Sequence, residues 1–228
     1  TGLALAAIGA ALFATKGIFV KLAIADGLDP VTILAWRMII STPVFMVLGW
    51  LAYRSRSKGK GRHCGEPLNA RLLLSASAIG VLGYYGASIL DFAALAYISA
   101  QLNRLVLLTY PFMVLVLGAM FFGRKLTWQM AATALLAYAG IALIFSRDLS
   151  IEGESVLIGT LLVLGAALAY AFYQLFAKAS IDRLGSQLFT GVAMTAAGIV
   201  VLLHFLVTHP ISDLAMGPST WRILIALA

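Results

Sequence analysis

Charge is the scarcest property of this chain. Only 11% of its 228 residues are Asp, Glu, Lys or Arg, and 62% are hydrophobic. A soluble domain carries about a quarter charged residues and about half apolar ones. Its surface could not hide this much apolar material, so the composition excludes an ordinary water-soluble globule. Cysteine is nearly absent too. The single Cys64 excludes an intrachain disulfide and any thiolate metal cluster, and is read as a free loop thiol. There is no HExxH, no GxSxG and no phosphate-binding glycine loop. With three scattered histidines, no catalytic group, metal or cofactor is expected. His204 has no acidic or cysteine neighbour in sequence and is read as an outer-end packing or interface residue. The net charge of +7 does not imply nucleic acid, because the basic residues cluster in short gaps between apolar runs.

Those apolar runs are what the chain has in abundance. A helix needs about 20 apolar residues to cross the hydrocarbon. Seven stretches qualify: Leu3–Ala25, Val31–Tyr53, Arg71–Leu95, Ser99–Phe122, Thr127–Phe145, Val156–Lys178 and Gln187–Val207. An eighth opens near Trp221. The first has no basic leader and is too long for a signal core, so it is read as a span; without an initiator Met, its start is expected to be processed or cropped. The expectation is an all-α, polytopic membrane protein in the inner (plasma) membrane.

The gaps carry an orientation. "RSRSKGKGRHCGEP" holds Arg54, Arg56, Lys58, Lys60 and Arg62 against Glu66, "GRKL" holds Arg124 and Lys125, and the gap after the sixth run holds Lys178 and Arg183 beside Asp182. They alternate with acidic or neutral gaps containing Asp26 and Asp29, "RDLSIEGE" and "THPISD". Positive loops stay cytoplasmic, so the N-terminus is expected inside.

The chain also resembles itself. "GLALAAIGAALFATKGIFVK" (Gly2–Lys21) aligns with "GTLLVLGAALAYAFYQLFAK" (Gly159–Lys178), pairing Gly2 with Gly159, Phe19 with Phe176 and Lys21 with Lys178. After one gap, "GLDPVT" (Gly27–Thr32) meets "GSQLFT" (Gly185–Thr190). A unit of five helices is odd, so its second copy enters from the opposite side. Such inverted repeats are typical of secondary transporters. The expected units are residues 1–147 and 155–228.

The repeat, together with "ISAQLNRLVLLTYPFMVLVLGAMFFGRKLT" in the fourth run, resembles the EamA-type proteins of the drug/metabolite transporter superfamily. In that family a Ser-Ala stretch opens the fourth helix, a proline breaks it and a Gly-Glu-Arg-Leu-like turn ends it. Here the turn reads Gly123-Arg124-Lys125-Leu126, with arginine in place of the usual glutamate. The resemblance implies ten helices in two halves and alternating access. On that plan about seven and a half helices are present, and the second unit stops at the start of helix eight.

Polar residues inside the runs are candidates for function, because an intramembrane charge costs roughly 2.5–3.5 kcal/mol on insertion scales. Arg37, Asp91, Asn103 and Arg104 fall at similar depth near the outer face. Asp91 is expected to pair with Arg37 or Arg104, leaving the other arginine for a substrate carboxylate; an outer-face ion cluster or snorkelling is the structural alternative. Lys16 lies roughly 20 Å along the first helix, close to the Ala6–Ala10–Ala14 ridge, either lining the substrate path or reaching outward. Pro111 removes a backbone hydrogen bond and bends the fourth helix; Thr109 and Tyr110 stand close enough to satisfy the freed carbonyl. "GVLGYYGASILD" spaces Gly80, Gly83 and Gly86 around Tyr84 and Tyr85. With Tyr110, Tyr170, and Tyr173 beside Gln174, these tyrosines form either an aromatic-walled cavity or interface packing.

The leading expectation is a transporter of small metabolites, exporting amino acids or similar amphipathic solutes. Its partners are a small-molecule substrate and the bilayer. A non-transporting scaffold or partner subunit is the alternative, and a membrane enzyme a weaker one.

Overall fold

The computed structural model describes residues 17–57, 68–123, 127–152 and 155–214, and among them there is no strand. Helix α1 covers residues 17–25 of the first apolar run. It is followed by α2 (Pro30–Ser57), α3 (Ala70–Ala94), α4 (Ala100–Phe122), α5 (Trp128–Glu152), α6 (Ser155–Leu184) and α7 (Ser186–Thr208), with a 3₁₀ turn at Ile211–Leu214. Helices α2, α3, α4, α6 and α7 are long and apolar enough to span a membrane. Large apolar side chains point outward along them: Leu74 on α3, Met120 on α4 and Val207 on α7 are all exposed. In lipid that exposure carries no penalty, because the solvent is as apolar as the side chain.

Several ends differ from the sequence expectation. α5 continues past Phe145 to Glu152, through "RDLSIE". No glycine or proline lies between Phe145 and Gly153, and charge alone does not stop a helix leaving the membrane. α6 likewise runs past Lys178 to Leu184 and stops at Gly185, whose φ of +82° suits glycine. α2 extends one turn past Tyr53 to Ser57. Most of the first run, and the start of the eighth, lie outside the described residues.

Two spans depart from α geometry midway. Residues Val81–Gly86 of α3 form a π turn, in which the Ala87 N–H donates to the Leu82 carbonyl, five residues back. α4 is interrupted at Leu108 and Thr109, and its second half restarts at Tyr110 with Pro111 in the first turn. There the Thr109 N–H donates to the Val106 carbonyl at 3.0 Å, a tighter 3₁₀-type bond. The break thus falls just before the proline, as the missing N–H dictates. Thr109 gives the second half no side-chain cap.

The bundle is organised around α6 and α7. The most extensive contact is between α2 and α7; α3 packs on both α6 and α7, and α4 on α6. Small residues set these distances. Gly49 of α2 meets Gly191 of α7, Thr42 meets Gly198, and Gly80 of α3 meets the Ala193 backbone. Without a Cβ the backbones approach closely enough for dispersion to hold helices together where lipid offers no hydrophobic drive. Past the C-terminal end of α3, the Lys21 ammonium of α1 donates to the carbonyls of Leu95 (2.8 Å) and Ile98 (2.9 Å). It satisfies backbone acceptors left open beyond the end of α3.

Candidate functional site

The helix departures bring the polar residues of different spans together. Because α3 widens into a π turn at Val81–Gly86, Gly83 lies directly beneath the ring of Tyr173 on α6. Tyr84 then reaches the same ring from the side. Their hydroxyls are 2.9 Å apart, and the rings sit edge to face with centroids 5.2 Å apart. One turn back on α6, Tyr170 stacks on Tyr173 at 5.6 Å. Tyr110, the first residue after the break in α4, meets Tyr170 edge to face at 4.9 Å. Phe189 of α7 closes the far side of Tyr173. Tyr84, Tyr110, Tyr170 and Tyr173 therefore form one continuous aromatic layer contributed by α3, α4 and α6. At 1.5 Å per residue, Tyr84 lies about 15 Å from the C-terminal end of α3 and Tyr110 about 15 Å from the N-terminal end of α4, near the middle of a bilayer. Gln174 is exposed on α6 and hydrogen-bonds to the Tyr170 hydroxyl.

Tyr85 goes elsewhere. Adjacent helical residues point in different directions, and Tyr85 turns towards α7. Its hydroxyl lies 3.1 Å from Nδ1 of His204, with the rings edge to face. This pair joins the apolar cluster of Ile33, Leu34, Phe92 and Phe205 rather than the tyrosine layer.

Beyond the layer, towards the C-terminal end of α3 and the N-terminal end of α4, sits the charged group. Asp91 of α3 is 3% exposed and lies within electrostatic reach of both Arg37 on α2 and Arg104 on α4; Arg37 also senses Tyr84. Asn103 is fully buried and donates from Nδ2 to the Asp91 backbone carbonyl at 3.2 Å, tying the start of α4 to α3. The Arg104 guanidinium lies against Gly17 of α1, where a Cβ would come within 3.0 Å of Nε and Nη2. Lys16 is next to Gly17 in sequence and lies outside the described residues. Pro111 is exposed on the outer surface of α4, so it shapes the break and faces away from the tyrosines.

Three contributors were not foreseen from sequence. Gly17 provides a flat floor under Arg104, Phe189 backs the aromatic layer, and Lys21 ties α1 to the end of α3; Gly83, expected as a close-approach glycine, lies under Tyr173. The glycine-rich stretch signalled close approach in α3, but nothing local indicates which ring a glycine will meet. Among the described residues, no group of His, Cys, Asp or Glu is arranged to hold a metal ion. The arrangement offers a low-dielectric layer with flat aromatic faces, phenolic donors and acceptors, and two guanidinium groups above it.

Comparison with known proteins accords with this architecture. Residues 1–146 match the EamA-like transporter family. A Bacillus subtilis (strain 168) protein described as an uncharacterized transporter, YcbK, is 27% identical over 204 residues, covering 86% of this chain and 61% of the relative. A WAT1-related protein of Arabidopsis thaliana is 28% identical over 163 residues, covering 71% of this chain and 38% of that protein. The chain thus spans about three fifths and two fifths of the lengths of these relatives. A crystal structure of 18% sequence identity superposes with a TM-score of 0.56 over 95% of this chain and 71% of the other, showing a shared fold. With spans, breaks and family match in agreement, the chain belongs to the EamA-like transporter family and is a multi-pass, all-helical membrane protein.

Proposed function

We propose that this chain belongs to a transporter that moves small amphipathic metabolites, amino acids or close relatives, across the inner membrane by alternating access, in the direction of export. The carrying observation is the mid-span tyrosine layer beneath Arg37 and Arg104, at the level where α3 and α4 both leave α geometry. Irregular backbone and costly charge at membrane depth accompany substrate paths in transporters. The guanidinium groups suit a carboxylate, and the ring faces suit an apolar body. Lys16, Tyr84, Tyr110, Asn103, Arg104, Tyr173 and Gln174 are assigned to the path. Arg37, Asp91 and Pro111 are assigned to the charge pairing and bending that accompany gating. Tyr85 is assigned to the pathway's outer flank through His204.

Two repeat units, 1–147 and 155–228, inserted in opposite directions with the N-terminus cytoplasmic, supply the mechanics. The alignment that pairs Gly27 with Gly185 also pairs Ser41 with Ile199. Those mates sit beside the Thr42–Gly198 contact, where α2 and α7 cross. Moving two turns along α2 to Gly49 is matched by two turns in the opposite sense along α7 to Gly191. The antiparallel register of this crossing supports a pseudo-two-fold axis close to it. Rocking of one unit against the other about this crossing would open the tyrosine layer to either side in turn.

The test is flux into proteoliposomes containing the complete parent chain, using a labelled amino-acid panel with and without a pH gradient. Saturable flux that is lost in Arg104→Ala or Lys16→Ala is expected. Flux retained in both would remove these two cations from the path. No flux across the whole panel would overturn the amino-acid assignment.

A further inference from the structure

The start of α2 and the end of α7 meet through a titratable pair. Asp29 precedes α2 and caps it: its Oδ2 accepts the Val31 N–H at 2.7 Å, one residue beyond Pro30. His209 follows α7, where its N–H donates to the Phe205 carbonyl and its ring stacks on Phe205 with centroids 5.4 Å apart. Nε2 of His209 lies 3.3 Å from the Asp29 carboxylate. The helix dipole favours an anion at an N-terminus and a cation at a C-terminus. Both members of the pair therefore stand where their charged forms are favoured, and they join a helix of the first proposed unit to a helix of the second.

The protons available decide which form of His209 fits. The Thr208 hydroxyl lies 2.8 Å from the His204 carbonyl and 2.8 Å from Nδ1 of His209. With the contact between Nε2 and Asp29 this makes three hydrogen bonds, each of which needs one proton. The hydroxyl supplies one and a neutral imidazole one, so one contact goes without. An imidazolium supplies two, and all three are made. The His209 side chain is 21% exposed and that of Asp29 48%, so both are open to exchange protons with water. The other titratable groups of the elements that meet here are Asp26 in the turn after α1, Asp213 in the 3₁₀ turn packed on α2, and His204 further back on α7, whose ring is engaged by Tyr85.

The repeat mates of these residues cannot do the same. The alignment that pairs Gly27 with Gly185 sets Asp29 against Gln187 and His209 against Leu51, neither of which titrates. Both mates line one cavity towards the opposite end of the α2–α7 crossing. At that end α2 is tied to the second unit by Arg56, whose Nη1 donates to the carbonyls of Arg183 (3.1 Å) and Leu184 (3.4 Å) at the end of α6. A guanidinium keeps its charge throughout the working pH range.

We infer that His209 and Asp29 form a proton-operated latch between α2 and α7: protonation of His209 fastens the two helix ends, and loss of that proton releases them. The orientation proposed above puts the latch on the external side, where acid would hold the units together and slow opening to that side. That consequence rests on the proposed rocking of the units; the proton count does not.

The experiment is hydrogen–deuterium exchange of the full-length protein in micelles, read by mass spectrometry at about pH 5.5 and about pH 8, the range over which histidine changes charge. Rates are corrected for the intrinsic pH dependence of amide exchange, and no solute is added. Protection of the peptides at the start of α2 and the end of α7 should fall about three-fold or more from the acid to the alkaline condition, the scale of a partly exposed ion pair. Asparagine caps a helix as well as aspartate does, so Asp29→Asn removes the charge and keeps the cap. Asp29→Asn and His209→Gln should each show the lower protection under both conditions. Equal protection under the two conditions in the parent protein would overturn the proposal. So would a fall that survives His209→Gln, which would assign the titration to His204 or an acidic neighbour, or one that survives Asp29→Asn, which would detach it from the pair. A fall shared evenly with the peptides of α4 and α6 would overturn it too, as a loosening of the whole bundle. Because no transport is measured, failure here leaves the substrate assignment standing, and failure of that assignment leaves the latch standing.

Discussion

The hydroxyl contact between Tyr84 and Tyr173 allows the tyrosine layer to be tested by a double-mutant cycle. Each of Tyr84→Phe and Tyr173→Phe removes one oxygen of a 2.9 Å hydrogen bond and keeps the ring, so the edge-to-face packing at 5.2 Å remains. A hydrogen bond within a membrane bundle contributes about 0.6 kcal/mol on average and up to about 1.7. Each single variant also strands the partner's hydroxyl in a low-dielectric layer, which raises the cost towards the upper end, about 1–2 kcal/mol. The double variant strands nothing. Its destabilisation should therefore fall short of the sum of the singles by about 1 kcal/mol, the signature of a direct pair. Reversible unfolding of the full-length protein in mixed micelles gives the four free energies. Additive costs would refute the reasoning, since two groups that do not interact leave no coupling term. The same variants separate architecture from recognition. If the hydroxyls also hold the substrate, the flux KM should rise about five-fold for roughly 1 kcal/mol of lost binding.

Other substitutions probe the supports of the site. Gly83→Ala places a methyl group into the Tyr173 ring. The usual helix gain of about 1 kcal/mol on replacing glycine should be outweighed by overpacking of about 1–3 kcal/mol, seen as a lowered melting temperature. Gly17→Ala meets only the far end of the Arg104 side chain, at 3.0 Å, so it should leave melting nearly unchanged while raising the flux KM; an unchanged KM would detach Arg104 from the substrate. Lys21→Met removes two charged hydrogen bonds to the carbonyls of Leu95 and Ile98 and should cost about 1.5–3 kcal/mol in the same unfolding assay, whereas exposed Lys178→Met should be close to neutral.

Much of this was legible in the sequence because lipid imposes a simple rule. About 20 consecutive apolar residues make a span, and α2, α3, α4, α6 and α7 all appear where that rule places them. Helix ends were less legible. In α5, "RDLSIE" reads as a loop by charge, yet it keeps a helical backbone because nothing in it breaks a helix. For the site, the intramembrane charges stood out as groups that lipid disfavours, and the tyrosines as flat apolar faces carrying a hydroxyl. Their partners did not. Tyr84 and Tyr85 are neighbours in sequence and nearly equivalent in chemistry, yet one joins the aromatic layer and the other meets His204. That choice depends on the π turn, which the glycine-rich stretch permits without specifying. Gly17 under Arg104 and Gly83 under Tyr173 follow only from packing between helices distant in sequence.

The central claim is that the tyrosine layer is a substrate site reached from each side of the membrane in turn. Its most direct measurement is labelling of Tyr110→Cys, in a cysteine-free background of the full-length protein, with a membrane-impermeant thiol reagent applied separately to each face of oriented vesicles. The account predicts labelling from both faces and slower labelling from both when a transported amino acid is present. Labelling from neither face, or from one face only with no protection by any solute on the panel, would contradict it.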